Sequence, residues 1–192
     1  MKTYLIKPCA IIIALFVAAL SIETQAQQLS SFKEGVIYLV RHGEKDTSPD
    51  PGLSTEGLSR SGDLLRIFKS DKKLKKPSLI FVTQYRRTQL TGDSLRIGLD
   101  IDTVHYKADT NGDAFMNMLE AKKENKVLVI GHSNTIPVLL RRLGVDYPSD
   151  IPDNEYDNFF TVTFKDGKPT LNVQKYGKLS RSGATSKMPP LQ

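Results

Sequence analysis

The sequence predicts an α/β domain of three layers, α/β/α, around a mainly parallel central sheet with an antiparallel edge. Short apolar runs alternate with segments of helical spacing through the middle of the chain. Three of those runs, Val36 to Val40, Leu79 to Thr83 and Val127 to Gly131, are nearly continuous in β-branched or large apolar residues, as strands covered on both faces require. Near the end, Phe159 to Phe164 and Thr170 to Tyr176 flank Asp166-Gly167, which reads as a hairpin with a loop longer than two residues.

Ahead of the first run stand Lys2 and Lys7, the apolar stretch Ala10 to Leu20, and Ser21 to Ala26. That order is an export signal, expected to be cleaved after Ala26. The stretch is short of the roughly 20 apolar residues that a spanning helix needs, so no stable membrane insertion is expected after cleavage. The expected location is periplasmic or secreted. The organisation read from the sequence is then a signal peptide over 1–26, one domain over 27–176, and a flexible tail over 177–192 that is rich in Ser, Gly and Pro. Cys9 is the only cysteine and falls in the signal, so the domain must hold without disulfides, as one of this length can.

The formal net charge is +6. Basic residues are spread along the chain except in Lys72 to Lys76, which lacks the interleaved aromatics of a nucleic-acid stripe. No nucleic-acid partner is expected, and the cluster reads as a solvated helix end or loop. Mild basicity favours an anionic substrate.

Ser54 is a plausible N-cap, with Glu56 in the first turn, for a helix running to Phe68 on which Leu58, Leu65 and Phe68 share a face. Further helices are expected over 84–95, 112–123 and 135–143, with Pro137 suited to a first turn. Ile101 to Val104 reads as an edge strand.

In an open parallel sheet the strands' carboxyl ends lie along one edge, and ligands bind there. Val36 to Val40 runs into Arg41-His42-Gly43, Leu79 to Thr83 into Gln84-Tyr85-Arg86-Arg87, and Val127 to Gly131 into His132-Ser133-Asn134. Two of the three histidines thus meet arginines at one rim. Arg87 and Asn134 also open helices, so backbone N–H groups face the same place. Arginine forks match phosphate oxygens, and such a rim suits an anion.

These residues resemble the histidine phosphatase superfamily, the phosphoglycerate mutase-like proteins, whose first strand ends in Arg-His-Gly. Here those are Arg41, His42 and Gly43. The second element of that family is matched by Thr83, Arg87 and Thr91, its Gly-His pair by Gly131-His132, and its Leu-[Ser/Thr]-x-x-Gly by Leu53 to Gly57. The resemblance covers Val36 to Phe164. It departs from the pattern at Gln84, where proline is usual, and at Gly92, where alanine is usual. Spacing to Thr83 and Thr91 favours Arg87 over Arg86 as the functional arginine.

The resemblance implies a phosphoglycerate mutase-like fold and a metal-independent phosphatase without cofactor, acting on a small phosphorylated substrate. His42 would take the phosphoryl group on a ring nitrogen, and water would then hydrolyse the phosphohistidine. The other ring nitrogen needs an acceptor, expected to be a backbone carbonyl. Arg41, Arg87 and a hydrogen-bonding or protonated His132 would bind the non-bridging oxygens. Asp109 is the candidate proton donor for the leaving group, against the alternative of a surface turn residue, with Asp113 nearby. A short branch of the family acting on phosphohistidine manages without such an acid, whereas export argues against cytosolic signalling substrates.

Glu44 and Lys45 read as local ion-pair residues, and His105 is given no role. Three other readings remain open at this point. The same cluster could bind an anion without turnover. Gly131 to Thr135 nearly spells the nucleophile elbow of a serine hydrolase on Ser133, although no histidine follows His132 in the chain. A metallohydrolase on His42, His105 and His132 lacks ligand spacing. The motifs specify no oligomeric state.

Overall fold

The computed structural model describes residues 32–49, 51–148 and 150–180. The segment read as an export signal and all but the first residues of the tail lie outside them. The order of elements is β1 (Gly35–Arg41), α1 (Thr55–Ser70), β2 (Leu79–Thr83), α2 (Arg86–Leu99), β3 (Asp102–Tyr106), α3 (Asp113–Lys122), β4 (Lys126–Gly131), α4 (Thr135–Arg142), β5 (Asn158–Lys165) and β6 (Lys168–Lys175).

The strands form one six-stranded sheet in the order β3-β2-β4-β1-β5-β6. β1 runs parallel to β4, and β2 runs parallel to both β3 and β4. β5 is antiparallel to β1 and to β6, which makes the antiparallel edge. The three strands that read as apolar runs are neighbours in the middle, β2-β4-β1, each covered on both faces.

Alternate residues of these strands feed two separate cores. Ile37, Leu39, Phe81, Val127 and Val129 pack with Phe115, Met116 and Leu119 of α3 and with Ile136, Leu139 and Leu140 of α4. Val36, Tyr38, Val40, Ile80, Leu128 and Ile130 pack with Leu64 and Phe68 of α1 and Leu95 of α2. The result is helices on both faces of a sheet, three layers as the sequence predicts. Each fully buried side chain of this size contributes roughly 1.5–3 kcal/mol relative to exposure.

Ser54 is the N-cap of α1, its hydroxyl accepting from Gly57 N at 3.2 Å and donating to Glu56 at 3.0 Å. The buried face of α1 differs from the sequence expectation: Gly57, Arg60, Ser61, Leu64 and Phe68 point inward, whereas Leu58 is 57% exposed. The helix is turned so that Gly57 meets the loop after β1 and Arg60 reaches beneath it, which swings Leu58 to solvent. The hairpin loop also differs, being two residues rather than more. Asp166 and Gly167 both have positive φ, +52° and +75°, the conformation of a tight turn whose twist matches that of the strands.

Residues 72, 73, 75 and 76, the basic cluster, lie exposed in the loop after α1. The first residues of the segment read as a loose tail are held: Lys178 O accepts from Arg60, and Ser180 bonds both Tyr156 N and Asp157. Among the described residues no helix is long and apolar enough to cross a membrane.

Candidate active site

The parallel registers carry the functional side chains to one place. Arg41 at the end of β1 pairs with Gly131 at the end of β4, and His42 N donates to Gly131 O at 3.0 Å. His42 and His132 therefore leave adjacent strands side by side, with ring centroids 5.3 Å apart. Arg87, in the first turn of α2 beyond β2, reaches the same point, its Nη2 lying 3.3 Å from His132 Nδ1.

His42 is 4% exposed. Its Nδ1 is 2.7 Å from Gly43 O. A carbonyl oxygen can only accept, so Nδ1 carries the proton and Nε2 bears the free lone pair. Burial pushes the His42 pKa down to about 3, opposed by the Gly43 hydrogen bond and reinforced by His132, Arg41 and Arg87. The ring is neutral at ordinary pH.

His132 is fixed in the opposite sense. A guanidinium only donates, so Nδ1 accepts from Arg87, and Nε2–H donates to Thr83 Oγ1 at 3.0 Å. The relay continues from Thr83 Oγ1 to Thr88 Oγ1 at 2.9 Å and from there to Tyr85 O at 2.8 Å. Burial, then Arg87 and Arg41, bring the His132 pKa to about 4. With both nitrogens engaged, His132 has none to offer Ser133 as a base.

The loop carrying His42 is clamped from three sides. Gly43 N donates to Thr91 Oγ1 at 2.9 Å, and that hydroxyl donates to Arg87 O at 2.7 Å, so Thr91 ties the His42 loop to the helix carrying Arg87. Gly43 and Gly57 cross back to back: a Cβ on Gly57 would run into the Glu44 carbonyl oxygen, and one on Gly43 would sit 2.9 Å from Gly57 O. Only glycines allow that approach. Arg60, 3% exposed, grips Glu44 with both Nε and Nη2 at 2.6–3.1 Å, and its remaining donors reach Tyr176 O and Lys178 O.

Arg41 is only partly available to a ligand. Its Nη1 donates to the carbonyls of Pro152, Asp153 and Glu155 at 2.9–3.0 Å, which pins the segment before β5 over the site. The Nε atoms of Arg41 and Arg87 are buried without a hydrogen-bond partner among the described residues. Two aromatic rings complete the surroundings. Tyr156 lies under the Arg41 guanidinium at 4.0 Å and 6.0 Å from the His42 ring, and Tyr85 lies under Arg87 at 4.5 Å and 5.2 Å from the His132 ring.

The structure does not bring Asp109 into this group. Its two oxygens accept from Gly112 N and Ala114 N at 2.6 and 2.8 Å, so it closes the turn before α3. That is the turn-residue alternative. Asp113 likewise pairs with Arg142 at 2.9 Å. His105 is exposed on β3 beside Val82. No three or more His, Cys, Asp or Glu residues gather in a way that could hold a metal ion among the described residues. Tyr156 and Arg60 carry no sequence signal of their own, whereas Tyr85 stands in the strand-end run that drew attention to Arg87.

No family profile matches the chain, and no curated protein matches its sequence. Solved structures do match. The protein histidine phosphatase SixA complexed with tungstate is 19% identical, covers 73% of this chain and 96% of its own, and superposes with a TM-score of 0.57. The fold is that of the histidine phosphatases. A SixA from Agrobacterium tumefaciens is similar at 18% identity over 76% of this chain and 98% of its own, with a TM-score of 0.57. YhfR of Bacillus stearothermophilus shares the histidine phosphatase fold at 14% identity over 73% of this chain and 96% of its own, with a TM-score of 0.55.

Proposed function

We propose that the protein is a phosphatase that hydrolyses phosphomonoesters through a phosphohistidine formed on His42 Nε2. The observation that carries this reading is the hydrogen bond from His42 Nδ1 to Gly43 O, which presents a neutral imidazole with its lone pair on Nε2. A nucleophilic imidazole needs its lone pair on the attacking nitrogen, and this hydrogen bond leaves it there.

The surroundings fit a transferring phosphoryl group. The guanidinium groups of Arg41 and Arg87 stand close enough to both histidines to depress their pKa values, and two such cations beside a free imidazole lone pair suit a dianion. When it arrives, Arg87 Nη2 turns from His132 Nδ1 to an oxygen, and the negative charge raises the proton affinity of His132. His132 then donates as well. The charge on the non-bridging oxygens is thus met by the two guanidinium groups and His132, and such electrostatic stabilisation is where much of the rate acceleration of phosphoryl transfer arises. Likeness in fold to SixA, solved with tungstate, supports the same class of ligand.

The Nε2 lone pair of His42, left without a partner where both nitrogens of His132 are engaged, favours turnover over binding alone. The test is purified protein with p-nitrophenyl phosphate: release of p-nitrophenol, with an acid-labile and base-stable phosphoryl group trapped on His42, is the expected result. Phosphate binding without either product would return the anion-binding reading. Signal cleavage after Ala26 and export remain part of the proposal, read from the order of charges and apolar residues in 1–26.

The depressed histidines give a pH dependence with a defined sign. Each falls from an ordinary 6.5 to about 3 for His42 and about 4 for His132. Between those values and 6.5 the folded chain binds fewer protons than the unfolded one. The stability these rings contribute is therefore complete above pH 6.5 and lost as the pH falls toward 4 and 3. Imidazole nitrogen shifts recorded by NMR on the ligand-free protein at pH 5 should show His42 and His132 neutral. Two protonated rings at that pH would contradict the assignment.

A further inference from the structure

We propose that Tyr85 is a specificity-determining wall that selects phosphate monoesters of aromatic alcohols, by packing against the ring of the leaving group. This rests on the phosphatase reading above.

Tyr85 is 40% exposed, in a chain that hides most of its aromatic rings. Solvent exposure of a ring at the rim of a buried polar cluster invites a planar partner. The ring is also held ready. The Arg87 guanidinium covers one face at 4.5 Å, and the ring stands perpendicular to His132 at 5.2 Å. A side chain already fixed loses little freedom when a ligand packs on it. Its position at the N-cap of α2 puts it directly before Arg86 and Arg87, so the phenol ring borders the place where Arg87 would hold a phosphate.

A second observation points the same way. The acid that the sequence suggests for the leaving group and the carboxylate next to His42 are both committed elsewhere. Asp109 accepts two backbone N–H groups, and Glu44 is gripped by Arg60 through both oxygens. An aryl ester needs no such acid. The His42 Nε2 lone pair forms the N–P bond while the P–O bond breaks, and its electron pair leaves on a resonance-stabilised phenolate that takes a proton from water. A second water then attacks phosphorus, releasing inorganic phosphate and returning the lone pair to Nε2.

Ring recognition and leaving-group acidity are separated by comparing phenyl phosphate with the monoester of a fluorinated alkyl alcohol as acidic as phenol. The expected kcat/KM is roughly tenfold higher for phenyl phosphate, the upper end of what one ring contact gives. That ratio should fall toward one in Tyr85→Leu and persist in Tyr85→Phe. Should the leucine variant fail to fold, phenylphosphonate and methylphosphonate are compared as inhibitors of the unaltered protein, the phenyl compound being expected to bind about tenfold tighter. Equal kcat/KM for the two esters, or equal inhibition, overturns the role of Tyr85 and leaves the phosphatase standing. Turnover of neither ester overturns both.

Discussion

His42→Ala is expected to abolish turnover of phosphomonoesters, with kcat falling by at least about 10⁴-fold, the scale on which covalent nucleophiles fail when removed. His42 leaves β1 where that strand pairs with β4, its backbone N–H bonded to Gly131 O, so nothing else on the chain can occupy its place. His132 cannot substitute, because its Nε2 is a donor to Thr83 and its Nδ1 faces the Arg87 guanidinium. Removing the His42 ring leaves Arg41, Arg87 and His132 in position. The variant should therefore still bind inorganic phosphate while forming no phosphoenzyme, a pair of results that calorimetry and trapping after an alkaline quench measure separately. Activity within tenfold of the unaltered protein would end the proposed mechanism.

Arg87→Ala should lower kcat/KM by about 10²–10³-fold, the cost of removing one preorganised donor from a developing oxyanion. Both parameters are expected to move, KM upward because a ground-state contact is lost and kcat downward because the charge grows in the transition state. Arg87→Lys should recover only part of the loss, since an ammonium is a point charge where the site presents a planar fork. The neighbouring Arg86 supplies the control. Its guanidinium lies toward Gly52 and Asp46 rather than the histidines, and Arg86→Ala is expected to change kcat/KM by less than about threefold, as surface charges do. A larger effect at Arg86 than at Arg87 would reverse the choice that spacing to Thr83 and Thr91 favours.

The parts of this fold that could be read without coordinates are those whose physics is local or periodic. β1, β2 and β4 announce themselves because a strand covered on both faces must be apolar at every position, and once they are neighbours their carboxyl ends gather Arg41, His42, Arg87 and His132. The cap of α1 is equally legible, a serine whose hydroxyl meets the N–H three residues on. What escaped depends on contacts between distant segments. The inward face of α1 is set by a crossing of two glycines and a buried arginine, not by its leucines, so Leu58 is on the wrong side of a hydrophobic count. Asp109 looks like a free acid until Gly112 and Ala114 are seen to occupy it. Tyr156 reaches His42 from an irregular segment just before β5, where no periodicity marks its place.

Arg60 is a cation sealed beneath the loop that carries His42, and two of its acceptors are the carbonyls of Tyr176 and Lys178, distant from it along the chain. A truncation ending before Tyr176 would leave the Arg60–Glu44 pair but take away two acceptors of the guanidinium, and buried donors without partners are costly. Residues 176–178 thereby become part of what keeps His42 in position.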